Sequence, residues 1–140
     1  MLNLINNLER KDITKMLLGY KFALEEMNTK ISILFEEYRV VHEYNPIEHV
    51  STRIKSPKSI MRKIEHKGLA WSIHEIENNI RDIAGVRIVC SFEEDIYRVA
   101  KMLCNQNDIT VVEVKDYIKK PKENGYRSLH LIVKIPIFLT

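Results

Sequence analysis

Between Ile13 and Val41 the apolar residues Ile13, Met16, Leu17, Tyr20, Leu24, Met27, Ile31, Leu34, Phe35, Tyr38 and Val41 return every three or four positions. That spacing lines one face of an α-helix and predicts a single long amphipathic helix. Asp12 can favour its start, Asn7 can open an earlier turn, and a short separate helix is expected before it. Asn45-Pro46 breaks the pattern, because proline restricts the residue before it and cannot continue a helix. A second helix should begin at Ser56-Pro57, with serine as N-cap and proline at the first helical position, and stop at Gly68. Ile73 to Ile80 can form a short third helix.

The period then changes. Ile83-Ala84-Gly85-Val86-Arg87-Ile88-Val89-Cys90 reads as a buried strand rich in β-branched residues. Ser91 to Asp95 opens another helix, carried by Ile96, Val99, Ala100, Leu103 and Cys104, and Ile109 to Tyr117 is a second strand. Ser128 to Ile137 is a third, in which Leu129, Leu131, Val133 and Ile135 alternate with His130, Ile132 and Lys134. This order of elements predicts an α/β (α+β) fold with a mixed sheet. A helical region over 1–45 would precede a second region over 46–140.

A chain of 140 residues, 45% hydrophobic and 29% charged, can bury a real core and has no disordered composition. A net charge of +3 suits a polyanionic ligand but is far from the footprint of a dedicated nucleic-acid binder, so a nucleic-acid partner is not expected. The charge is concentrated: Arg53, Lys55, Lys58, Arg62, Lys63 and Lys67 face only Glu65 within 53–67. Cys90 and Cys104 lack metal or redox spacing and read as free, buried thiols of a reducing compartment. No secretory signal and no run long enough to span a bilayer is present, so no membrane partner and a cytoplasmic location are expected.

Three stretches carry candidate chemistry. Arg53, Lys55 and Lys63 lie around a helix start, where backbone N–H groups and cations favour an anion, although part of this cluster can be a solvated face. Asp82 stands at the rim of a strand; it is either a cap or an oxygen ligand for a hard cation such as Mg²⁺. Lys122-Glu123-Asn124-Gly125-Tyr126-Arg127-Ser128-Leu129-His130 joins a tight turn to a strand. Tyr126 and His130 project to the same side of a regular strand, while Arg127 points away or sits in the bend. The alternatives are a hairpin with a basic rim, a core or rim tyrosine, and a structural histidine.

Taken in order, Arg53-Ile54-Lys55-Ser56-Pro57-Lys58-Ser59-Ile60, Asp82-Ile83-Ala84-Gly85-Val86-Arg87 and the Asn124–His130 stretch resemble the synthetase domain of the RelA/SpoT family. The resemblance is strongest to the stand-alone small alarmone synthetases, or GTP pyrophosphokinases, and runs from Ile47 to the last residue. It implies a nucleotidyltransferase-like fold and a Mg²⁺-dependent transfer of the β,γ-diphosphate of ATP to the 3′-hydroxyl of GTP or GDP. By the same resemblance Asp82 binds the magnesium, Arg53 and Arg87 sandwich the adenine, and Lys55, Ser59 and Lys63 contact the ATP phosphates. Tyr126 would stack on the guanine, Lys122 and His130 would contact the acceptor's phosphates, Arg127 and Ser128 would support the loop, and Lys115 would add charge. Members of the family are often homotetramers, and the long first helix suggests a self-association surface.

Two departures accompany the resemblance. The family's second acid, a glutamate in a Glu-x-Gln-Ile-Arg-type motif, is expected beyond Thr140, and none of Glu93, Glu94 or Glu113 takes its place; the chain is expected to be a fragment and inactive alone. His49-Val50-Ser51-Thr52 replaces the Phe-Val-Thr-Gly common in product-stimulated members. Two other classes are open: a catalytically silent nucleotide-binding module, and a single-stranded RNA-binding module using Tyr126, Arg127 and the basic helix.

Overall fold

The computed structural model describes residues 10–139. Helix α1 (Arg10–His42) is followed by strand β1 (Ile47–Ile54), helices α2 (Pro57–Lys67) and α3 (Ile73–Asn79), strand β2 (Ala84–Cys90), helix α4 (Glu93–Cys104) and strands β3 (Thr110–Asp116) and β4 (Leu129–Lys134). This is the expected α+β composition with a long N-terminal helix. The strands hydrogen-bond as two pairs, β1 with β2 and β3 with β4. Asn7 and the short helix expected before α1 lie outside the described residues. Among the described residues no helix is long and apolar enough to cross a membrane.

The described residues divide into two compact units. One takes the chain up to Glu25 together with Ser51–Arg87; the other takes Glu26–Val50 and the chain from Ile88 onward.

The first unit is built around Met16, Ile60, Ile64, Trp71, Ile76, Ile80 and Ile83, with Ile13, Leu17, Tyr20, Met61, Leu69 and Ile73 packed against them. Ile60 and Ile64 are one turn apart and face the core together. Deleting either side chain to alanine costs about 2–5 kcal/mol at such sites. Helix α2 forms where its caps predict: Ser56 Oγ accepts from the Ser59 N–H at 3.2 Å, Pro57 occupies the first turn, and Gly68 ends the helix at φ +66°. Beyond it, Ser72 caps α3 by accepting from the Glu75 N–H at 3.1 Å.

In the second unit β3 and β4 pair antiparallel, with Asp116 opposite Leu129, Lys115 opposite His130 and Val114 opposite Leu131. An irregularity between Val111 and Glu113 shifts the register. Ile31, Phe35, Val99, Leu103, Ile109 and Ile118 are buried. Asp95 is only 2% exposed, yet its carboxylate accepts from Tyr44 Oη and from Arg98 Nη1, the latter at 2.8 Å. A buried charge is tolerable when so paired.

Strand β1 was not indicated by the hydrophobic pattern. Its burial shows no two-residue alternation, and only Ile47 and Val50 are half-buried; pairing with β2, not an apolar face, makes it a strand. The thiols also differ from expectation: Cys90 and Cys104 are free but only half-buried, and burial still pushes both up from the usual thiol range.

Candidate functional site

In the first unit the chemistry gathers where β1 ends and β2 begins. The Lys55 N–H donates to Ile83 O at 2.7 Å. That bond places the Lys55 side chain beside Asp82, and its Nζ reaches Asp82 Oδ2 at 3.1 Å. Lys63, a turn after Ser59 on α2, reaches the same oxygen at 2.8 Å. The Lys55 side chain is 12% exposed and that of Asp82 52%, so an ammonium lifted partly out of water meets an accessible carboxylate. Partial burial pushes the Asp82 carboxyl up, but the hydrogen bonds and charges of Lys63 and Lys55 outweigh it and hold the group below the usual carboxylate range. Half-exposed ion pairs are each worth about 1 kcal/mol or less. Little stability is therefore lost if either lysine leaves Asp82 for a stronger anion.

Ser59 belongs to the cap of α2, where its Oγ accepts from Ser56 Oγ at 3.0 Å. Arg53 and Arg87 are both exposed. With Lys55 bonded to Ile83 at one end of the β1–β2 pair and Glu48 accepting from Ser91 Oγ at the other, the strands run antiparallel. Gly85 and Arg87, two residues apart on β2, share the exposed side of that strand. A Cβ at Gly85 would meet nothing within 4 Å. The Arg87 position thus shares its strand face with open space that the glycine leaves unfilled. Lys67 is engaged elsewhere, donating to Asn79 O at 3.1 Å.

In the second unit the turn before β4 folds as its residues demand. Gly125 takes φ +85° and its N–H donates to Lys122 O at 2.8 Å, while the Tyr126 N–H donates to Asn124 Oδ1 at 3.0 Å. Tyr126 and His130 do share a side: the Tyr126 hydroxyl lies 2.8 Å from His130 Nε2. Ser128 Oγ donates to the same hydroxyl at 3.0 Å, which leaves the tyrosine's own proton able to be donated to Nε2. That arrangement needs a neutral imidazole protonated at Nδ1. Burial, followed by the charges of Lys122 and Lys115, lowers the His130 pKa from 6.5 and favours that form.

The ring cluster contains a residue that sequence reading passed over. Tyr117, just past β3, meets Tyr126 at 6.1 Å between centroids and His130 at 5.4 Å, both edge-on. The Lys122 ammonium lies 4.7 Å from the Tyr117 ring centre and 5.4 Å from that of Tyr126. Of the expected residues, Arg53, Lys55, Ser59, Lys63, Asp82 and Arg87 belong to the first unit. Lys122, Tyr126, Arg127, Ser128 and His130 belong to the second. Lys55, Lys63 and Asp82 meet directly, as do Tyr126, Ser128 and His130; Arg127 is exposed in the bend. Tyr117 was missed because a tyrosine ending a strand resembles any rim aromatic; its only signal is a place opposite Ser128 in the hairpin.

These local geometries have counterparts among known proteins. The chain is 51% identical over 130 residues to the GTP pyrophosphokinase YwaC of Bacillus subtilis, covering 93% of this chain and 62% of that one. It therefore spans about three fifths of the length of such curated relatives. The crystal structure of small alarmone synthetase 2 from the same organism superposes with a TM-score of 0.80 at 50% identity, covering 92% of this chain and 65% of that chain. Small alarmone synthetase 1 of B. subtilis, bound to its product pppGpp, gives 0.80 at 41% identity, covering 91% and 65%. The family model described as "Region found in RelA / SpoT proteins" matches residues 52–138, a span holding the lysine-bound aspartate, the arginine pair and the tyrosine turn alike. With that span matched as a whole and half of its residues shared with a curated member, this chain belongs to the RelA/SpoT family.

Proposed function

We propose that the protein is a (p)ppGpp synthetase, moving the β,γ-diphosphate of ATP to the 3′-hydroxyl of GTP or GDP. The 3′-oxygen would bond to the β-phosphorus, the bridge to the α-phosphate would break, and AMP would leave. The observation that carries this reading is a division of chemistry. One unit gathers lysines on an acid and carries exposed arginines on its strands, suited to a purine triphosphate; the other offers an exposed tyrosine braced by rings and a cation, suited to a guanine. The names of the relatives, and the pppGpp held by one of them, support the same reading.

On this proposal Arg53 and Arg87 hold the adenine, and Lys55, Ser59 and Lys63 hold the ATP phosphates. Tyr126 stacks on the guanine, with Lys122 and His130 serving the acceptor's phosphates. Among the described residues no three acidic, histidine or cysteine side chains gather as a metal site. Asp82 nevertheless fits magnesium, which commonly takes one or two carboxylates and completes its shell with phosphates and water. The ion would supply charge neutralisation on the transferred group. Drawing Lys55 and Lys63 onto phosphate would free Asp82 for that role. The protein would act in the cytoplasm as a homo-oligomer, a tetramer by family likeness, with Ile33, Val40 and Val41 exposed along one side of α1 as a surface for self-association.

Chromatographic detection of AMP and pppGpp from ATP, GTP and Mg²⁺, run with this chain extended to the length of its relatives because the 140 residues alone are expected to be inactive, tests the proposal. Product formation with neither RNA nor ribosomes is the expected outcome; nucleotide binding without product would favour a silent binding module. Binding of a short RNA, with no affinity for either mononucleotide, would overturn both.

A further inference from the structure

We infer that Tyr117 is a positioning residue for the acceptor nucleotide, holding the plane of the Tyr126 ring and the place of the Lys122 ammonium; this rests on the reading of Tyr126 as the guanine platform. Tyr126 sits 43% exposed in a turn that needs a left-handed glycine; its main chain is bonded to Asn124 and Lys122 of the same loop, and its hydroxyl meets Ser128 and His130, so polar ties hold its ends and leave the tilt of its ring plane to neighbouring rings. A stacking ring so placed requires support from outside its own loop.

Tyr117 is tied into the β3–β4 ladder, whereas Tyr126 is tied by its turn and by its hydroxyl. The Tyr117 N–H donates to Ser128 O at 2.9 Å, the next pairing beyond Asp116 and Leu129. On its other side the Asp116 carboxylate accepts the N–H groups of Ile118 and Lys119 at 2.9 and 3.0 Å and the Tyr97 hydroxyl at 2.8 Å. The chain on both sides of Tyr117 is therefore pinned. Its ring meets Tyr126 and His130 edge-on and lies beneath Lys122. One fixed ring thus braces the stacking tyrosine, the histidine hydrogen-bonded to its hydroxyl, and the cation between them.

The test compares Tyr117→Leu, Tyr117→Phe and Tyr126→Ala by titration with GDP and, separately, a non-hydrolysable ATP analogue. Tyr117→Leu should weaken GDP about tenfold, the loss of one ring pair and one cation–π contact. The ATP analogue should bind unchanged, and Tyr117→Phe should stay within about twofold of the parent because the ring remains. Adding Tyr117→Leu to Tyr126→Ala should cost less than Tyr117→Leu costs the parent, since only the hold on Lys122 is left to lose. Should Tyr117→Leu fail to fold, pentafluorophenylalanine at position 117 keeps the ring's shape while reversing its quadrupole, and should weaken GDP similarly. If Tyr126→Ala itself leaves GDP binding intact, the guanine reading fails. If Tyr126→Ala weakens GDP but the ring-altering replacements at 117 do not, or if they weaken both nucleotides alike, the positioning role is wrong.

Discussion

The two clusters that carry the chemistry are made from opposite materials. In the first unit Lys55, Lys63 and Asp82 are held by charge: two ammoniums on one carboxylate oxygen, over distances of 2.8 and 3.1 Å. In the second, Tyr117, Tyr126 and His130 are held by ring edges and a hydroxyl relay, with Lys122 as the cation among them. Charge clusters exchange partners readily, because a phosphate can replace a carboxylate with little net cost. Ring clusters present a surface whose shape is set before the ligand arrives. The lesson is that the first site should respond to salt and charge substitution, and the second to shape.

The sharpest break between them is expected at Asp82. Asp82→Asn keeps the volume but removes the charge, so synthesis should fall by about 10²–10³, the usual scale for losing one electrostatic stabiliser. The melting temperature should barely move, since the side chain is half exposed. Steady-state AMP production at fixed Mg²⁺, in the chain extended to the length of its relatives, is the measurement. Near-normal turnover would reduce Asp82 to a counter-ion for two lysines.

Next in size is the exchange of nucleotide preference. Tyr126→Ala should cost guanosine nucleotides about 1–3 kcal/mol, the range for one stacked base, and leave an ATP analogue unaffected. Arg87→Ala should do the reverse. Raising salt should weaken the ATP analogue more steeply than it weakens GDP. Parallel losses for both nucleotides in both variants would erase the distinction between the units.

How much of this could be read in the sequence follows the range of the interactions. Helix α2 was legible because serine, proline and glycine act within a turn of themselves, and its ends fall where those residues stand. The Tyr126–His130 contact was legible because a strand's period carries it. Strand β1 was not, since its partner is far along the chain and its own burial has no period. Asp82 was recognised as a candidate, but that Lys55 and Lys63 would converge on a single oxygen depends on the bond between Lys55 and Ile83, which no local pattern encodes. Tyr117 depends likewise on hairpin register.

A smaller effect sharpens the first site by shape alone. Gly85 has open space where a Cβ would go and an ordinary negative φ, so its glycine is not demanded by the surrounding protein atoms. Gly85→Val should leave the melting temperature within about 2 °C, as valine suits a strand. The ATP analogue should nonetheless bind several-fold less well, because the methyls would fill the open space on the strand face that Arg87 shares, while GDP binding stays unchanged. A variant that loses stability and keeps ATP affinity would show that the gap serves the strand pair, not the purine.

The smallest effect concerns pH and touches the second site only. Tyr126 Oη lies 2.8 Å from His130 Nε2, which can accept the tyrosine's proton only while the imidazole is neutral. Burial first, then Lys122 and Lys115, lower the folded-state pKa below 6.5. The folded chain therefore binds this proton less readily than the unfolded one, and stability contributed by neutral His130 is intact above pH 6.5 and declines as pH falls from there through the folded pKa. Protonation would also turn Nε2 from acceptor to donor and release the Tyr126 hydroxyl. GDP affinity should thus decline modestly on acidification, in step with the His130 Cε1 proton resonance. Tyr126→Phe, which lacks the hydroxyl, should remove that step in GDP binding while the resonance still titrates. If the parent and Tyr126→Phe lose GDP affinity identically, any pH response belongs to the nucleotide phosphates and not to the relay.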